Sequence, residues 1–236
     1  MSAARIANIV AIDGPAGAGK STVARALARR LGFTMVDTGA IYRTVALAAR
    51  RAGIEWDDDE GLRRVLEPSL GISFIAPPED APAEAQRVLL KGQDVTEAIR
   101  TPEISRGASV VSARPIVRAA LLELQRQLGR EAKKGAVLEG RDIGTVVFPD
   151  APVKLFLTAS DEARAARRFQ ELSQKGLAVT EAEVLADQRK RDASDRGRDI
   201  APLKAADDAL LVDTTGLDLD QVIDRCVDLA KSRLQA

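Results

Sequence analysis

The segment at positions 14–21, with the sequence GPAGAGKS, has residue types and spacing suited to binding a nucleoside triphosphate. It fits the pattern G-x-x-x-x-G-K-[ST] without deviation. Glycines let the backbone curl so that successive N–H groups point at phosphate oxygens, and the helix that follows adds the positive end of its dipole. A lysine in this pattern reaches the β- and γ-phosphates, and the hydroxyl after it is suited to Mg²⁺. We therefore predict a site for ATP and Mg²⁺, with Ser21 as metal ligand and loop contacts from Gly14, Pro15, Ala16, Gly17, Ala18, Gly19, Lys20, Ser21 and Thr22.

Three further segments combine arginine with carboxylates. The first, DTGAIYR at 37–43, ends in Arg43, the second is EGRD at 139–142, and the third is RDASDRGR at 191–198. Arginine is suited to bidentate capture of phosphate, and the acid Glu139 stands where a P-loop protein often holds a carboxylate near magnesium-bound water. A capped surface helix, a structural ion pair and a solvated helix are the respective alternatives when each segment is taken alone. Together they indicate a second, anionic substrate beside the triphosphate.

The elements that must position these segments alternate between strand and helix. Buried strands are predicted at 6–12, 33–36, 136–139, 153–159 and 209–214, and helices at 20–31, 40–52, 115–134, 161–175, 181–196 and 218–235. Short strands around a Pro-rich turn at 76–82 indicate a small antiparallel insertion. This order predicts an α/β fold of three layers, a five-stranded parallel sheet with helices on both faces, whose ligands gather at the carboxyl ends of the strands. We predict one P-loop domain with its core at 1–70 and 97–236, an insertion at about 71–96 and a lid at about 176–203.

Composition excludes several classes of function. The 236 residues contain no histidine and a single cysteine, which excludes Ser-His and Cys-His mechanisms and an internal disulfide framework. Thirty-five basic residues balance thirty-five acidic ones, and aromatic residues make up only 3%, so we expect no nucleic-acid partner. No apolar run approaches the length of a membrane span, and we expect a cytoplasmic monomer without a membrane partner. Among the cations, 26 are arginine and 9 are lysine, a bias for which gene base composition and function are equally good explanations at this stage.

The chain resembles the bacterial cytidylate kinases, within the nucleoside monophosphate kinase superfamily. The strings that carry the resemblance are GPAGAGKST at 14–22, DTGAIYR at 37–43, GRDIGTVVFPDAPVK at 140–154 and RDASDRGRDIAPL at 191–203. Thr38 and Glu139 stand where many members have serine and aspartate, and both keep the functional group. The resemblance implies Mg·ATP as donor, CMP or dCMP as acceptor, a monophosphate-binding role for the insertion and a short lid.

The resemblance also assigns roles to the residues of this chain that occupy the family's motif positions. The resemblance implies phosphate contacts from Arg43, Arg141 and Arg198, cytosine contacts from Ser109, Arg118 and Asp142, and sugar contacts from Arg191 and Asp195. Thr38 completes the expected substrate-binding set. We expect charge stabilisation during transfer from Lys20, Arg141, Arg191, Arg196 and Arg198. A carboxylate such as Asp142 can accept a hydrogen bond from the cytosine amino group, which uracil lacks.

Two other classes remain open from the residues alone. The first is a P-loop kinase for another small acceptor, such as shikimate, AMP or UMP. The second is a nucleotide-dependent switch or partner-binding module with no acceptor. The several acceptor-like segments disfavour the switch, because a switch needs no second anion site.

Overall fold

The computed structural model describes residues 8–67, 70–75, 86–174 and 176–235. The strands of these residues are β1 Ile9–Asp13, β2 Thr34–Asp37, β3 Ile72–Ile75, β4 Arg87–Leu90, β5 Gln93–Asp94, β6 Ala136–Glu139, β7 Val153–Thr158 and β8 Leu210–Asp213. The helices are α1 Lys20–Leu31, α2 Thr38–Arg51, α3 Asp59–Leu66, α4 Pro102–Val111, α5 Pro115–Arg130, α6 Asp161–Gln174, α7 Glu181–Arg196 and α8 Leu219–Leu234. A 3₁₀ turn at Ala98–Arg100 and a π-helical turn at Ile143–Val147 complete the elements.

Five strands form one parallel sheet in the order β2-β6-β1-β7-β8, as predicted. Because successive side chains of a strand alternate between faces, β1 contributes to both sides of the core. Val10 and Ile12 lie with α1 and α8, and Ile9 and Ala11 lie with the π-helical turn and residues of α5. The sheet is therefore buried on both faces, which explains why its strands are continuous apolar runs in the sequence.

The strand register brings three acidic side chains to one edge of this sheet. Glu139 pairs in register with Asp37 on one side and with Ile12 on the other, and Asp13 follows Ile12. All three strands end here, at the carboxyl edge, where the loops to the following helices begin. The predicted chemical segments at 14–21, 37–43 and 139–142 therefore lie side by side.

A second, three-stranded antiparallel sheet forms from β3, β4 and β5. It packs through Val88 and Leu90 into an apolar cluster that also contains residues of α2, α4 and α5. This confirms an antiparallel element in the predicted insertion, while the Pro-rich turn at 76–82 lies outside the described residues. No helix among the described residues is long and apolar enough to cross a membrane.

Candidate active site

The loop at 14–21 connects β1 to α1 and turns sharply at its glycines. Gly14 has a φ of 146°, and a Cβ there would lie 2.0 Å from the Leu157 carbonyl oxygen of the neighbouring strand. Any other residue would therefore collide with the sheet. Lys20 is buried at the first position of α1, and its Nζ donates to the Pro15 carbonyl oxygen at 2.7 Å, so the ammonium lies across the loop. The loop thus has the sharp glycine turn and the buried lysine that a phosphate cradle requires.

Oxygen atoms suited to a magnesium ion surround the end of the loop. The Ser21 hydroxyl donates to Glu139 Oε1, and the Thr38 hydroxyl donates to the Glu139 carbonyl oxygen at 2.6 Å. Burial and the nearby charge of Asp37 raise the pKa of Glu139, whereas Lys20 lowers it. Hydroxyl and carboxylate oxygens are the ligands Mg²⁺ prefers, and a magnesium site in a nucleotide kinase needs only one or two of them besides phosphate. The residues present fit the ion.

The surroundings of Lys20 disfavour its charged form. Burial and the positive charge of Arg141 lower the pKa of Lys20 to about 7, with Glu139 and Asp13 acting in the opposite direction. A buried ammonium beside the half-buried guanidinium of Arg141 is unfavourable unless an anion joins them. This part of the site therefore favours a negatively charged ligand.

Three arginines from two segments surround a single buried carboxylate, Asp195. Arg141 Nε donates to Asp195 Oδ2 at 2.9 Å, and Arg198 pairs with Asp195 Oδ1. Burial and the positive charge of Arg141 lower the pKa of Arg191 to about 10, with smaller contributions of the same sign from Arg43 and Arg198. One negative charge thus faces several positive ones. The structure brings together the arginines of the three predicted segments.

Buried donors in this cluster are left without partners. The Nε atoms of Arg43, Arg191 and Arg198 are buried and have no hydrogen-bond partner among the described residues. Buried guanidinium donors are normally satisfied, because stranding one costs about 1–3 kcal/mol or more. Unpaired donors on three converging arginines are what a phosphate-binding site presents to its ligand.

Arg43 also lines an open cleft beside Ser21. Its guanidinium donates to Asp37 Oδ2 at 2.9 Å, and the other oxygen of Asp37 caps α2 by accepting from the Ala40 N–H. The cleft is lined by Ser21, Arg25, Met35, Asp37, Ala40, Arg43, Gln86, Val88, Ile99 and Arg100. Sequence analysis missed Arg25, Gln86 and Arg100, because each stands alone in an element without a local motif.

A buried ion pair lies on the other side of the cluster. Arg118 on α5 pairs with Asp142, donates to the Ser112 carbonyl oxygen at 3.1 Å, and lies 5.7 Å from the centre of the Tyr42 ring. Burial raises the pKa of Asp142, and Arg118 opposes that rise. Ser112, which sequence analysis missed, joins the pair to the cluster because its hydroxyl accepts from Arg198 at 3.0 Å.

The remaining three predicted residues are less closely connected to the arginine cluster. Ser109 lies half-buried on α4, and its hydroxyl donates to the Ser105 carbonyl oxygen at 3.4 Å. Arg196 is exposed at the end of α7 and makes no ion pair or hydrogen bond with any residue the model describes. Thr22 lies half-buried in α1. The predicted roles of these three residues stay predictions.

Comparison with known proteins decides the family. The family model described as cytidylate kinase matches residues 10–232. The chain belongs to the cytidylate kinase family. A cytidylate kinase of Geobacter sulfurreducens is 52% identical over 100% of this chain and 98% of its own length, and that of Syntrophotalea carbinolica is 51% identical over 96% and 93%. An uncharacterized protein from Eubacterium ventriosum has a similar fold, with a TM-score of 0.51, 14% identity and coverage of 95% and 98%. The resemblance carried by the four sequence strings is confirmed.

Proposed function

We propose that this cytidylate kinase transfers the γ-phosphoryl group of ATP to CMP or dCMP, giving ADP and CDP or dCDP. Family membership over nearly the full chain supports the reaction. The observation that carries the assignment of residues is the set of buried, unpaired Nε donors on Arg43, Arg191 and Arg198 beside the phosphate loop. They form the anion site that a monophosphate would occupy.

In the proposed step, an oxygen of the acceptor phosphate forms a bond to the γ-phosphorus of ATP. The bond from that phosphorus to the β,γ-bridging oxygen breaks, and ADP keeps the bonding electrons. The acceptor oxygen already carries negative charge, so no strong general base is needed, consistent with a chain that lacks histidine. Catalysis is then positioning together with stabilisation of charge on the transferring group. Lys20 would act from the donor side and Arg141, Arg191 and Arg198 from the acceptor side.

Base selection is assigned to the pair of Arg118 and Asp142. The Asp142 carboxylate can accept from the cytosine amino group, while Arg118, with Ser109 nearby on α4, can donate to the ring acceptors. Because the pair is buried, a base that offers a carbonyl in place of the amino group would place its oxygen against the Asp142 carboxylate, two acceptors facing each other. Asp195 and Arg191 would contact the sugar.

Ser21 and Glu139, with Asp37 nearby, would hold Mg²⁺. When bound, the ion would neutralise charge on the donor phosphates. The chain's own contribution is to keep these oxygens together at the carboxyl edge of the sheet.

We also assign the segment at about 176–203, which includes α7, to a lid over the phosphates, and the insertion at about 71–96 to the acceptor side. The second assignment is supported by the cleft, to which the insertion contributes Gln86 and Val88. Closure of such a lid would exclude water and prevent hydrolysis of ATP. A monomeric, cytoplasmic enzyme remains our prediction.

An acceptor panel tests the proposal. ADP release is measured with CMP, dCMP, UMP, AMP, shikimate or no acceptor. We expect release to require an acceptor and to be fastest with CMP or dCMP. Fastest release with AMP or shikimate would assign a different kinase, and slow release that is independent of acceptor would indicate a switch.

Arg198→Ala tests the residue assignment. We expect kcat to fall about hundredfold, as for the loss of one donor to the transition state. The matched control is Arg168→Ala on α6, whose half-buried side chain pairs only with Glu171 among the described residues. Full turnover in Arg198→Ala would refute the role of this arginine.

A further inference from the structure

We propose that Arg164 and Asp192 are positioning residues that fix the phosphate loop to α7. Both contact the backbone of one residue of the loop, Ala16. The Ala16 carbonyl oxygen accepts from Arg164 at 2.6 Å, and the Ala16 N–H donates to Asp192 Oδ1 at 3.3 Å. Arg164 and Asp192 are themselves ion-paired at 2.7 Å. The three groups form a closed contact that joins the loop, α6 and α7.

This contact is buried, and the nitrogen atoms of the Arg164 guanidinium all take part in hydrogen bonds. Arg164 is 1% exposed and Asp192 is 2% exposed. The Arg164 guanidinium also donates to the Ala159 carbonyl oxygen at 3.2 Å and to Asp161 at 2.5 Å. A buried charge with fewer partners would be strongly destabilising, whereas this arrangement gives the arginine three hydrogen bonds and an ion pair with Asp192. Lysine, with one terminal nitrogen, cannot reproduce a planar fork of donors.

A second contact shows that α7 lies directly against the loop. Gln188, one turn before Asp192, donates from its Nε2 to the Arg164 carbonyl oxygen at 3.3 Å. A Cβ on Gly17 of the loop would lie 2.5 Å from that Nε2 atom. The loop and α7 are therefore in close steric contact as well as hydrogen-bonded.

The consequence for the reaction follows from what α7 carries. Arg191 directly precedes Asp192, and Asp195 lies one turn further along the same helix. Anchoring Ala16 to Asp192 therefore sets the spacing between the loop that holds the donor phosphates and the arginine cluster that holds the acceptor. This consequence rests on the proposed function. Misplacement of reacting groups by about 1 Å can lower a rate by up to about a hundredfold without removing a catalytic group.

Steady-state kinetics of Asp192→Asn and Arg164→Lys test the proposal. Asparagine keeps an acceptor for the Ala16 N–H but loses the charge that pairs with Arg164. We expect kcat to fall about tenfold or more in both variants, with the KM for CMP changed by less than about threefold, because the anion-binding groups stay in place while their spacing is relaxed. Thermal midpoints measured in parallel identify variants that fail to fold. If Arg164→Lys fails to fold, the more conservative variant Asp192→Asn alone tests the proposal.

The matched control is Arg189→Ala. Arg189 joins the same two helices from outside, through Asp161 and Glu162, but it is exposed and does not touch the loop. We expect its kcat to stay within twofold of the unmodified enzyme. An equal loss in Arg189→Ala would overturn the proposal, because general bracing of α6 against α7 would then account for the effect.

Hydrogen exchange gives a readout that does not depend on the reaction. The amide of Ala16 is expected to exchange at least about tenfold faster in Asp192→Ala than in the unmodified protein or Arg189→Ala, since its acceptor is lost. If the acceptor panel fails but this exchange difference is found, the proposed function is wrong and the anchor stands. Unchanged exchange at Ala16, or unchanged kcat in Asp192→Asn and Arg164→Lys, overturns the positioning role.

Discussion

Replacing Arg118 by methionine should strand a buried carboxylate and destabilise the protein in a pH-dependent way. The side chains of Arg118 and Asp142 are only 8% and 5% exposed and pair with each other. Methionine fills the space of the aliphatic stem but leaves Asp142 without its cation. Removing one partner of a buried pair costs about 3–5 kcal/mol, because the remaining charge is desolvated without compensation.

The pH dependence follows from the pKa of Asp142, which burial raises and Arg118 lowers. Without Arg118 the pKa of Asp142 rises further above that of the unfolded chain. At a pH below this folded pKa the carboxyl group is protonated in the folded variant, so little is lost there. As the pH rises through the folded pKa, the group must ionise in a buried site and stability falls. The deficit of Arg118→Met relative to the unmodified protein should therefore be small near pH 5 and about 3 kcal/mol or more at pH 8.

Urea denaturation at both pH values measures this deficit, with the single tryptophan, Trp56, as the fluorescence probe. Arg126→Met is the matched control. Arg126 lies on the same helix and, within the described part of the chain, donates only to the Val146 and Val147 carbonyl oxygens, so its deficit should not depend on pH. A deficit in Arg118→Met that is equal at pH 5 and pH 8, or below about 1 kcal/mol at pH 8, would refute the reasoning.

Three further predictions concern the donor side and the cleft. The pKa of Lys20 is lowered to about 7, and a bound polyphosphate favours the charged form of the lysine. ATP binding should therefore take up a proton at pH 8, and its affinity should fall as the pH rises from 7 to 9. Calorimetry in buffers of different ionisation enthalpy measures this proton uptake, and finding none would contradict the prediction. Arg25→Ala should raise the KM for CMP about tenfold, the cost of one charge-assisted hydrogen bond. Arg29 lies one turn further along α1 and is exposed, so Arg29→Ala should leave the KM unchanged. Equal KM values for the two variants would show that Arg25 does not bind CMP. Burial raises the pKa of Asp13 from 3.8 to about 6, so the folded state holds this proton to a higher pH than the unfolded chain and loses stability as the pH rises. Relative to Asp13→Asn, the unmodified protein should lose about 3 kcal/mol of unfolding free energy between pH 4 and 7. A stability difference between the two proteins that does not change with pH in urea denaturation would contradict this.

The parallel sheet could be predicted because each of its strands is a short apolar run closed by a turn signal. The helices that the sequence analysis missed had weaker signals. α3 is capped by Asp58, and α4 begins at Pro102 after the cap Thr101, but neither has a long apolar stripe. The helix predicted at 115–134 ends at Arg130, four residues early, where Glu131 forms the cap. Local propensity alone does not fix such ends.

The π-helical turn after Asp142 could not be predicted from local sequence, because a distant residue fixes it. Asp13 accepts the N–H groups of Ile143 and Gly144, each at 2.8 Å, across about 130 positions of sequence. These two hydrogen bonds set the backbone that presents Arg141 and Asp142 to the cluster. The residue types of the site were evident in the sequence, whereas their partners depended on tertiary contacts.

The excess of arginine over lysine has a structural cause at several positions. Arg164 donates to three different groups and forms an ion pair with a fourth, Arg118 donates to a carbonyl and a carboxylate, and Arg126 donates to two adjacent carbonyl oxygens. Arg167 donates to both the hydroxyl and the carbonyl oxygen of Thr214. Each arrangement needs donors held in a plane, which an ammonium cannot supply. Base composition of the gene does not explain a fork geometry that recurs at buried and half-buried positions, so at these four sites replacement by lysine would lose contacts even though the charge is kept.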